Sequence, residues 1–167
     1  MPISDQDHST DRYTWIPRTL IFLTREDQIL LIKGAPHKRL WANQYNGIGG
    51  HVERGEDLLS AARRELYEET GLILADLWLC GTITIDTREN PGIGIFMYRG
   101  VYQDGELRES GEGSLEWISL DKVFALPLVE DLYKLLPKVL ETDNDTTQFS
   151  ALYTYDEKDQ LQIRFGD

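Results

Sequence analysis

Three carboxylates, Glu65, Glu68 and Glu69, follow one another at the spacing i, i+3 and i+4. In a helix this spacing brings side chains together on one face. Because clustered carboxylate oxygens are the ligands that Mg²⁺ and Mn²⁺ prefer, the pattern predicts a divalent-metal site. Both ions retain several waters and bridge to substrate phosphates, so we expect a phosphorylated small molecule as the ligand.

A helix over residues 58–69 must position these carboxylates. Asp57 is suited to the N-cap, neither Gly nor Pro interrupts the segment, and Gly71 is suited to the C-terminal turn. With about 100° of rotation per residue, Glu69 falls inside the apolar sector and the other two carboxylates extend to its rim. A buried carboxylate without a partner costs several kcal/mol, so protonation, a buried Arg or a metal must compensate it.

The alternative is a solvated helix whose carboxylates pair with Arg54, Arg63 or Arg64. A solvated face does not explain the position of Glu69 among apolar residues. It also leaves the Gly-rich turn directly before the helix without a reason. The metal site is therefore the preferred interpretation.

Residues 50–72 resemble, at every defined position, the Nudix box, G-x5-E-x7-R-E-U-x-E-E-x-G-U, in which U is a bulky aliphatic residue. The resemblance implies an α/β protein, an α/β/α sandwich around a central mixed β-sheet. It also implies metal-dependent hydrolysis of a nucleoside diphosphate linked to another group. The resemblance implies a strand over residues 45–52, leading into the box. Its sequence resembles that of oxidised-purine nucleoside triphosphate diphosphatases, which convert 8-oxo-dGTP to the monophosphate and pyrophosphate.

The resemblance also implies roles for individual residues. It assigns the metal to Glu65, Glu68, Glu69 and the carbonyl of Gly49. It further implies that Glu56 holds Arg64, which orients the ligand carboxylates. The family's remaining ligand comes from a distant loop, where Glu112 is the best match and Glu109 the nearest rival. Family members differ in the carboxylate that serves as general base, so Glu65 and, second, Glu112 stay open for that role.

Asn46 matches the base-contacting asparagine of the 8-oxo-dGTP type. Its amide can both donate and accept hydrogen bonds, as the reading of a purine edge requires. The alternative is a turn asparagine before Gly47. The glycines at 47, 49 and 50 have an alternative too, because glycines within strands often form bulges.

The segment ahead of the second helix departs from the same type. Alignment through Pro137 puts Val129 where that type has a stacking aromatic residue, Asp131 at its first acid and Leu132 at its second. Two of these three positions differ, which weakens the oxidised-purine assignment. Glu130 or Tyr133 could supply the missing contacts from a shifted register.

The remaining elements follow from apolar periodicity and turn residues. Strands are predicted at residues 18–24, 28–33, 77–86, 94–103 and 115–119, with a hairpin turn at 25–27 and a basic loop at 34–43. A second helix is predicted over residues 130–140, interrupted by Pro137, and a final hairpin from residues 148–155 and 160–165.

Composition limits the organisation and the class of ligand. The chain has 167 residues, of which 41% are hydrophobic, enough for one core. We expect a flexible N-terminal tail at residues 1–12 and a single Nudix domain at residues 13–167. The net charge of −12 argues against a nucleic-acid polymer and favours a metal-nucleotide complex. No apolar run spans a membrane and Cys80 is the single cysteine, so a cytoplasmic protein without an internal disulfide is expected, of unknown oligomeric state.

Two other functions are compatible with these residues. One is a different specificity, that of a broad (d)NTP pyrophosphatase or an ADP-sugar hydrolase. The other is a non-catalytic nucleotide sensor on the same fold. Degenerate sensors lose box carboxylates, whereas all of them are present here, which disfavours the sensor.

Overall fold

A central mixed sheet forms the framework of the protein. The computed structural model describes residues 2–6, 11–74, 76–108 and 111–166. Within them the strands are β1 (Trp15–Arg25), β2 (Gln28–Gly34), β3 (Tyr45–Asn46), β4 (Leu77–Ile85), β5 (Gly92–Val101), β6 (Gly113–Ser119), β7 (Phe149–Tyr155) and β8 (Leu161–Phe165). The strand order is β3-β2-β1-β5-β4-β7-β8, and β6 pairs with β2. The β1–β5 and β4–β7 pairs are parallel and the other pairs antiparallel.

Strands β1 and β2 form the predicted hairpin, but their pairing is short. Only Leu23 to Arg25 of β1 are in register with β2, around a turn in which Glu26 has a φ of 47°. Toward its start β1 leaves β2 and pairs instead with the segment before the first main helix, where Ile21 bridges Ile48. The segment that leads into the first main helix is thereby attached directly to a central strand.

The main helices, α1 (Leu58–Thr70) and α2 (Leu132–Glu141), lie on opposite faces of the sheet. Side chains alternate between the faces along β1, because successive residues of a strand point in opposite directions. Ile21 and Leu23 share a core with Leu66 of α1, whereas Phe22 shares the other core with Leu132 of α2. The α/β/α arrangement around a mixed sheet is therefore confirmed.

Helix α1 has the ends that the sequence predicts. The Asp57 carboxylate accepts hydrogen bonds from the N–H groups of Leu59 and Ser60, which satisfies two donors that a helix start leaves free. Gly71 ends the helix with a φ of 75°, a left-handed conformation that glycine adopts without a steric penalty. Both predicted caps are confirmed.

Helix α2 differs from its prediction in two ways. It begins at Leu132, two residues later than expected, and it continues through Pro137 instead of being interrupted there. A proline costs a helix one hydrogen bond and a steric clash. Burial of apolar side chains of α2 against the sheet offsets that cost; they are Leu132, Leu135, Leu136 and Val139.

The remaining predictions are mostly confirmed. The predicted strands are present with ends shifted by two residues or fewer, except at the start of β1, which lies three residues earlier than predicted. The strand expected over residues 45–52 is reduced to Tyr45–Asn46 and isolated bridges. Ile3–Asp5 forms one short 3₁₀ turn, residues 1 and 7–10 of the expected tail lie outside the described residues, and the division into tail and domain stays a prediction. In the described part of the chain, no helix is long and apolar enough to cross a membrane.

Candidate active site

Arg64, in the second turn of α1, connects the loop before the helix to two of the clustered carboxylates. Its Nε and Nη2 donate to both oxygens of Glu56 at 3.1 and 2.7 Å. Its Nη1 donates to Glu65 at 2.8 Å and to Glu68 at 3.2 Å, and Nη2 also reaches the carbonyl of His51. These hydrogen bonds lower the pKa of Glu56 and raise that of Arg64. One guanidinium therefore sets the orientation of Glu65, which is 13% exposed, and contacts the more exposed Glu68.

The glycines before α1 permit very close packing. A Cβ on Gly50 would overlap the carboxylate of Glu65, and a Cβ on Gly49 would overlap the carbonyl oxygen of Thr19 on β1. Gly49 also has a φ of 154°, which side chains rarely adopt. Close approach of the chain to its own strand and helix explains these glycines better than a bulge does.

Glu69 occupies the inner end of the carboxylate cluster, in agreement with its position in the apolar sector of α1. The backbone N–H of Gly49 donates to its carboxylate, yet Oε2 is buried and has no hydrogen-bond partner among the described residues. Burial, followed by the negative charge of Glu65, raises the pKa of Glu69 to about 7. An ionised Glu69 thus lacks sufficient positive charge around it.

Glu112, immediately before β6, lies beside the same cluster. Its negative charge contributes to the raised pKa of Glu69, and its carboxylate forms an ion pair with Lys38 from the loop between β2 and β3. The fold therefore brings this distant acid within electrostatic range of Glu69 on α1, and its role as the remaining ligand stays a prediction. Glu109, the rival residue, lies outside the described residues.

The carboxylates of this cluster suit a divalent cation chemically. In the present geometry no three acidic, His or Cys side chains of the described residues converge at metal-binding distance. The buried, unpartnered oxygen of Glu69 nevertheless belongs to a carboxylate within electrostatic range of Glu65 and Glu112, and all three supply hard oxygen donors. A cation among them would relieve the repulsion that raises the pKa of Glu69, so the residues fit Mg²⁺ or Mn²⁺.

The residues expected to contact a base lie on two segments that backbone hydrogen bonds hold together. The N–H of Tyr45, beside Asn46 on β3, donates to the carbonyl of Pro127 at 2.9 Å. The N–H of Val129 donates in turn to the carbonyl of Tyr45 at 3.0 Å. The segment of residues 127–131 therefore runs alongside β3 before it enters α2 at Asp131.

The side chains of these two segments make distinct contacts. Asn46, in β3, accepts a hydrogen bond through Oδ1 from the N–H of Gly47 at 2.8 Å. Asp131 makes no capping hydrogen bond and instead accepts from the hydroxyl of Tyr153 on β7 at 3.2 Å. Burial raises the pKa of Asp131. The Asn46 side chain is thus bonded to its neighbouring backbone, and the Asp131 side chain to a hydroxyl of β7 on the α2 face of the sheet.

The two substitutes suggested near Asp131 differ in their surroundings. Glu130 is exposed. The hydroxyl of Tyr133 donates to the carbonyl of Leu126 and accepts from the N–H of Leu128, so it closes the loop before α2. The Tyr133 ring remains 43% exposed. Its hydroxyl is therefore engaged in structure, and its ring is the part that a ligand could contact.

Comparison with known proteins identifies the fold and the motif together. The NUDIX domain model matches residues 14–139, which include the complete box and more than half of the chain. The protein belongs to the Nudix hydrolase family. This assignment agrees with the α/β/α architecture and with the carboxylate cluster on α1.

Relatives of this Nudix hydrolase include enzymes with different named activities. An oxidized purine nucleoside triphosphate hydrolase from Danio rerio is 34% identical over 106 residues, covering 63% of this chain and 67% of the relative. The NAD-capped RNA hydrolase NudC from Pseudomonas aeruginosa is 28% identical over 66% of this chain, but the match covers only 38% of NudC. The crystal structure of a MutT protein from Bacillus halodurans superposes with a TM-score of 0.75 at 25% identity, covering 90% of this chain and 97% of that one.

Two residues of the Nudix site were not predicted from the sequence. Lys38 was noted only as part of a basic loop, and its pairing with Glu112 joins two loops that are far apart in the chain. Tyr153 was placed correctly in the final hairpin, but its hydrogen bond to Asp131 depends on the parallel pairing of β7 with β4. No local sequence signal marks either contact.

Proposed function

We propose that this Nudix hydrolase converts an oxidised purine dNTP, such as 8-oxo-dGTP, to the monophosphate and pyrophosphate with Mg²⁺, or Mn²⁺, as cofactor. The observation that carries the metal-dependent reaction is the buried, unpartnered oxygen of Glu69 beside Glu65 and Glu112. The substrate class is supported by the relative that is named for oxidised purine nucleoside triphosphates.

The ligands of the cation in this proposal are Gly49 through its carbonyl, Glu65, Glu68, Glu69 and Glu112. A bound cation of this kind supplies neutralisation of the phosphate oxygens and a more acidic water. Arg64 holds Glu65 and Glu68 in orientation and is itself held by Glu56. Glu65 is the first candidate for the general base, because Arg64 fixes its carboxylate, and Glu112 is the second.

In this proposal the base is recognised by residues of β3, of the segment before α2 and of the first turn of α2. The Oδ1 of Asn46 accepts a hydrogen bond from the N–H of Gly47, and its amide N–H groups remain as donors. Asp131, with a raised pKa, can be protonated more readily than an ordinary carboxyl and could then also donate. Glu130 and the ring of Tyr133 complete the proposed set of contacts. Asn46, Glu130 and Asp131 would hydrogen-bond to the purine edge, and the Tyr133 ring would pack against the ligand. Val129 replaces a stacking aromatic residue with a smaller apolar contact.

The second candidate function is hydrolysis of a larger nucleoside diphosphate compound. It is favoured by the match to NudC, a hydrolase of NAD-capped RNA, and by the departures at Val129 and Leu132. Broad (d)NTP pyrophosphatase activity and ADP-sugar hydrolysis belong to the same test. Purified protein should be assayed with and without Mg²⁺ on 8-oxo-dGTP, dGTP, dCTP, ADP-ribose and NAD, with the products identified by chromatography.

Two substitutions test the proposed base contacts. Asn46→Ala and Asp131→Asn should each raise KM for 8-oxo-dGTP by about tenfold or more relative to KM for dCTP, because unpaired buried polar groups make discrimination large. The exposed Asn144→Ala substitution is the matched control and should change neither constant. Equal losses on the purine and the pyrimidine would remove Asn46 and Asp131 from base recognition. Preferred turnover of NAD or ADP-ribose would replace the proposed substrate class.

A further inference from the structure

Arg18 carries a positive charge that nothing in the described protein neutralises. It lies within β1, near the centre of the sheet, and its side chain is half-buried. Its Nε has almost no contact with solvent and no hydrogen-bond partner among the described residues. A buried donor on a charged group is costly when it is unpaired, so this guanidinium indicates a place for a ligand.

The backbone of Arg18 adjoins the glycines of the box. Arg18 bridges His51, and the N–H of the next residue, Thr19, donates to the carbonyl of Gly50 at 2.8 Å. Gly50 is the residue against which the Glu65 carboxylate packs. Arg18 is therefore fixed within one residue of the segment that supports the carboxylate cluster.

The alternation of β1 directs Arg18 to the α2 face of the sheet. Arg18 shares its parity with Leu20 and Phe22, both of which pack in the core that contains α2. Its neighbour on β5, Ile95, packs against the same core. The guanidinium thus lies on the face opposite α1.

The segment that carries Asp131 crosses this same face. It is joined to Tyr45 of β3 at one end and to Tyr153 of β7 at the other. In the strand order, β1 lies between β3 and β7. Arg18 therefore lies on the face that this segment crosses, and its backbone adjoins the glycines at the carboxylate cluster.

Charge complementarity selects the kind of ligand. Arg64 is neutralised by Glu56, Glu65 and Glu68, and Lys38 by Glu112. Arg18 has no such acid among the described residues, in a chain of net charge −12. A phosphate of the substrate suits this position, since guanidinium groups bind phosphate through paired N–H donors.

We propose that Arg18 binds the α-phosphate of the nucleotide, the phosphate that stays with the nucleoside after hydrolysis. This phosphate connects the base to the diphosphate that is released. Arg18 lies on the face crossed by the segment of the proposed base contacts, and its backbone adjoins the glycines at the carboxylate cluster. The inference rests on the proposed nucleotide hydrolysis and not on the identity of the base. Arg18 would hold both substrate and monophosphate product.

Product inhibition tests this role directly. Inhibition constants should be measured for 8-oxo-dGMP, dCMP and the uncharged nucleoside 8-oxo-2′-deoxyguanosine with wild-type protein, Arg18→Gln and Arg18→Lys. Arg18→Gln should weaken both monophosphates by about tenfold or more and by the same factor, since a hydrogen-bonded charge pair is lost. The nucleoside should be unaffected, and Arg18→Lys should restore part of the loss because the charge returns without the paired donors.

Controls separate this role from a structural one. Arg164→Gln removes the same charge from an exposed position on β8 and should leave all three constants unchanged. The free energy of unfolding of ligand-free Arg18→Gln should equal or exceed that of the wild type, because the buried, unpartnered Nε donor has been removed. No loss of monophosphate binding, a loss confined to one monophosphate, or an equal loss on the nucleoside would each overturn the proposal.

Failure of the substrate proposal would give a different pattern. 8-oxo-dGMP would then not inhibit the wild-type protein, which would instead hydrolyse another nucleotide of the assay panel. The same comparison would be made with the monophosphate and nucleoside of that nucleotide. A phosphate-specific loss in Arg18→Gln would still support the role of Arg18.

Discussion

Glu69 combines two properties that oppose each other in the metal-free protein. It is held in the apolar sector of α1, and its pKa is raised from 4.5 to about 7 by burial and by Glu65. Because the folded protein binds this proton more tightly than the unfolded chain, the favourable contribution to stability is complete below pH 4.5 and is lost as the pH rises through about 7. At higher pH the ionised carboxylate destabilises the metal-free fold.

Replacing Glu69 with Gln should therefore separate stability from activity. In EDTA at pH 8 the free energy of unfolding should stay level or rise, by at most about 3 kcal/mol for the shift involved. The difference from wild type should shrink toward pH 4.5, where the wild-type group is protonated. At saturating Mg²⁺, kcat should fall by orders of magnitude, since an amide cannot replace a carboxylate at a hard cation. Denaturant titrations at several pH values and steady-state kinetics measure both effects.

The control for this substitution is Glu157→Gln, which changes an exposed carboxylate in the turn between β7 and β8. It should alter neither the pH dependence of stability nor kcat. Near wild-type turnover of Glu69→Gln at saturating Mg²⁺ would remove Glu69 from the proposed metal site.

At the scale of elements, α1 depends on its caps for stability and on the preceding glycines for the orientation of its carboxylates. Gly50→Ala should lower kcat by at least about tenfold, because the added Cβ overlaps the Glu65 carboxylate and a small displacement of a reacting group is costly. Asp57→Ala removes an N-cap and should cost about 1 kcal/mol of stability. Its kcat at a temperature where the protein is folded should match the wild type.

The two variants thus have opposite expected profiles, which thermal unfolding and steady-state kinetics can compare. If Gly50→Ala retained full activity, the close packing of Gly50 on Glu65 would have no catalytic importance. If Asp57→Ala lost activity while folded, the cap would act on the site as well as on the helix.

Local signals account for the parts of the fold that the sequence could predict. The N-cap at Asp57, the left-handed Gly71 and the apolar face of α1 are all encoded within one short segment. The course of residues 47–51 beside β1, the start of α2 at Leu132 and its passage through Pro137 depend on burial against distant strands. Such tertiary packing overrides local preference and leaves no periodic pattern in the chain.

The same division applies to the candidate site. Spacing alone identified the box carboxylates, and the family resemblance added Glu112, which the fold brings beside Glu69. Sequence reasoning could not find the contacts that join separate loops and strands, such as Lys38 with Glu112. It also gave no sign that Arg18 would lie buried and unpaired, because a single Arg in an apolar strand has no characteristic spacing.

At the scale of the whole molecule, enzyme and proposed substrate are both strongly anionic. With a net charge of −12, the protein should repel a nucleoside triphosphate at long range, and salt screens such repulsion. At fixed, saturating free Mg²⁺, kcat/KM should therefore rise several-fold between roughly 20 and 200 mM KCl. The value of kcat itself should change little, because the bound phosphates are already neutralised.

This salt dependence is measured by initial rates over a series of KCl concentrations. A fall in kcat/KM with added salt would mean that the local positive charge, from Arg18 and the basic loop around Lys38, governs the encounter in place of the net charge.

The hairpin of β7 and β8 lies wholly beyond residue 139, where the match to the family model ends, yet Tyr153 of β7 holds the carboxylate of Asp131. The hydrolytic motif and the proposed selector of the base are thus supported by separate stretches of the polypeptide. Substitutions in the hairpin would then alter the nucleotide specificity and leave the hydrolytic motif unchanged. Such modularity would let a lineage of these enzymes diversify its substrates by altering a peripheral strand pair, without passing through an inactive intermediate.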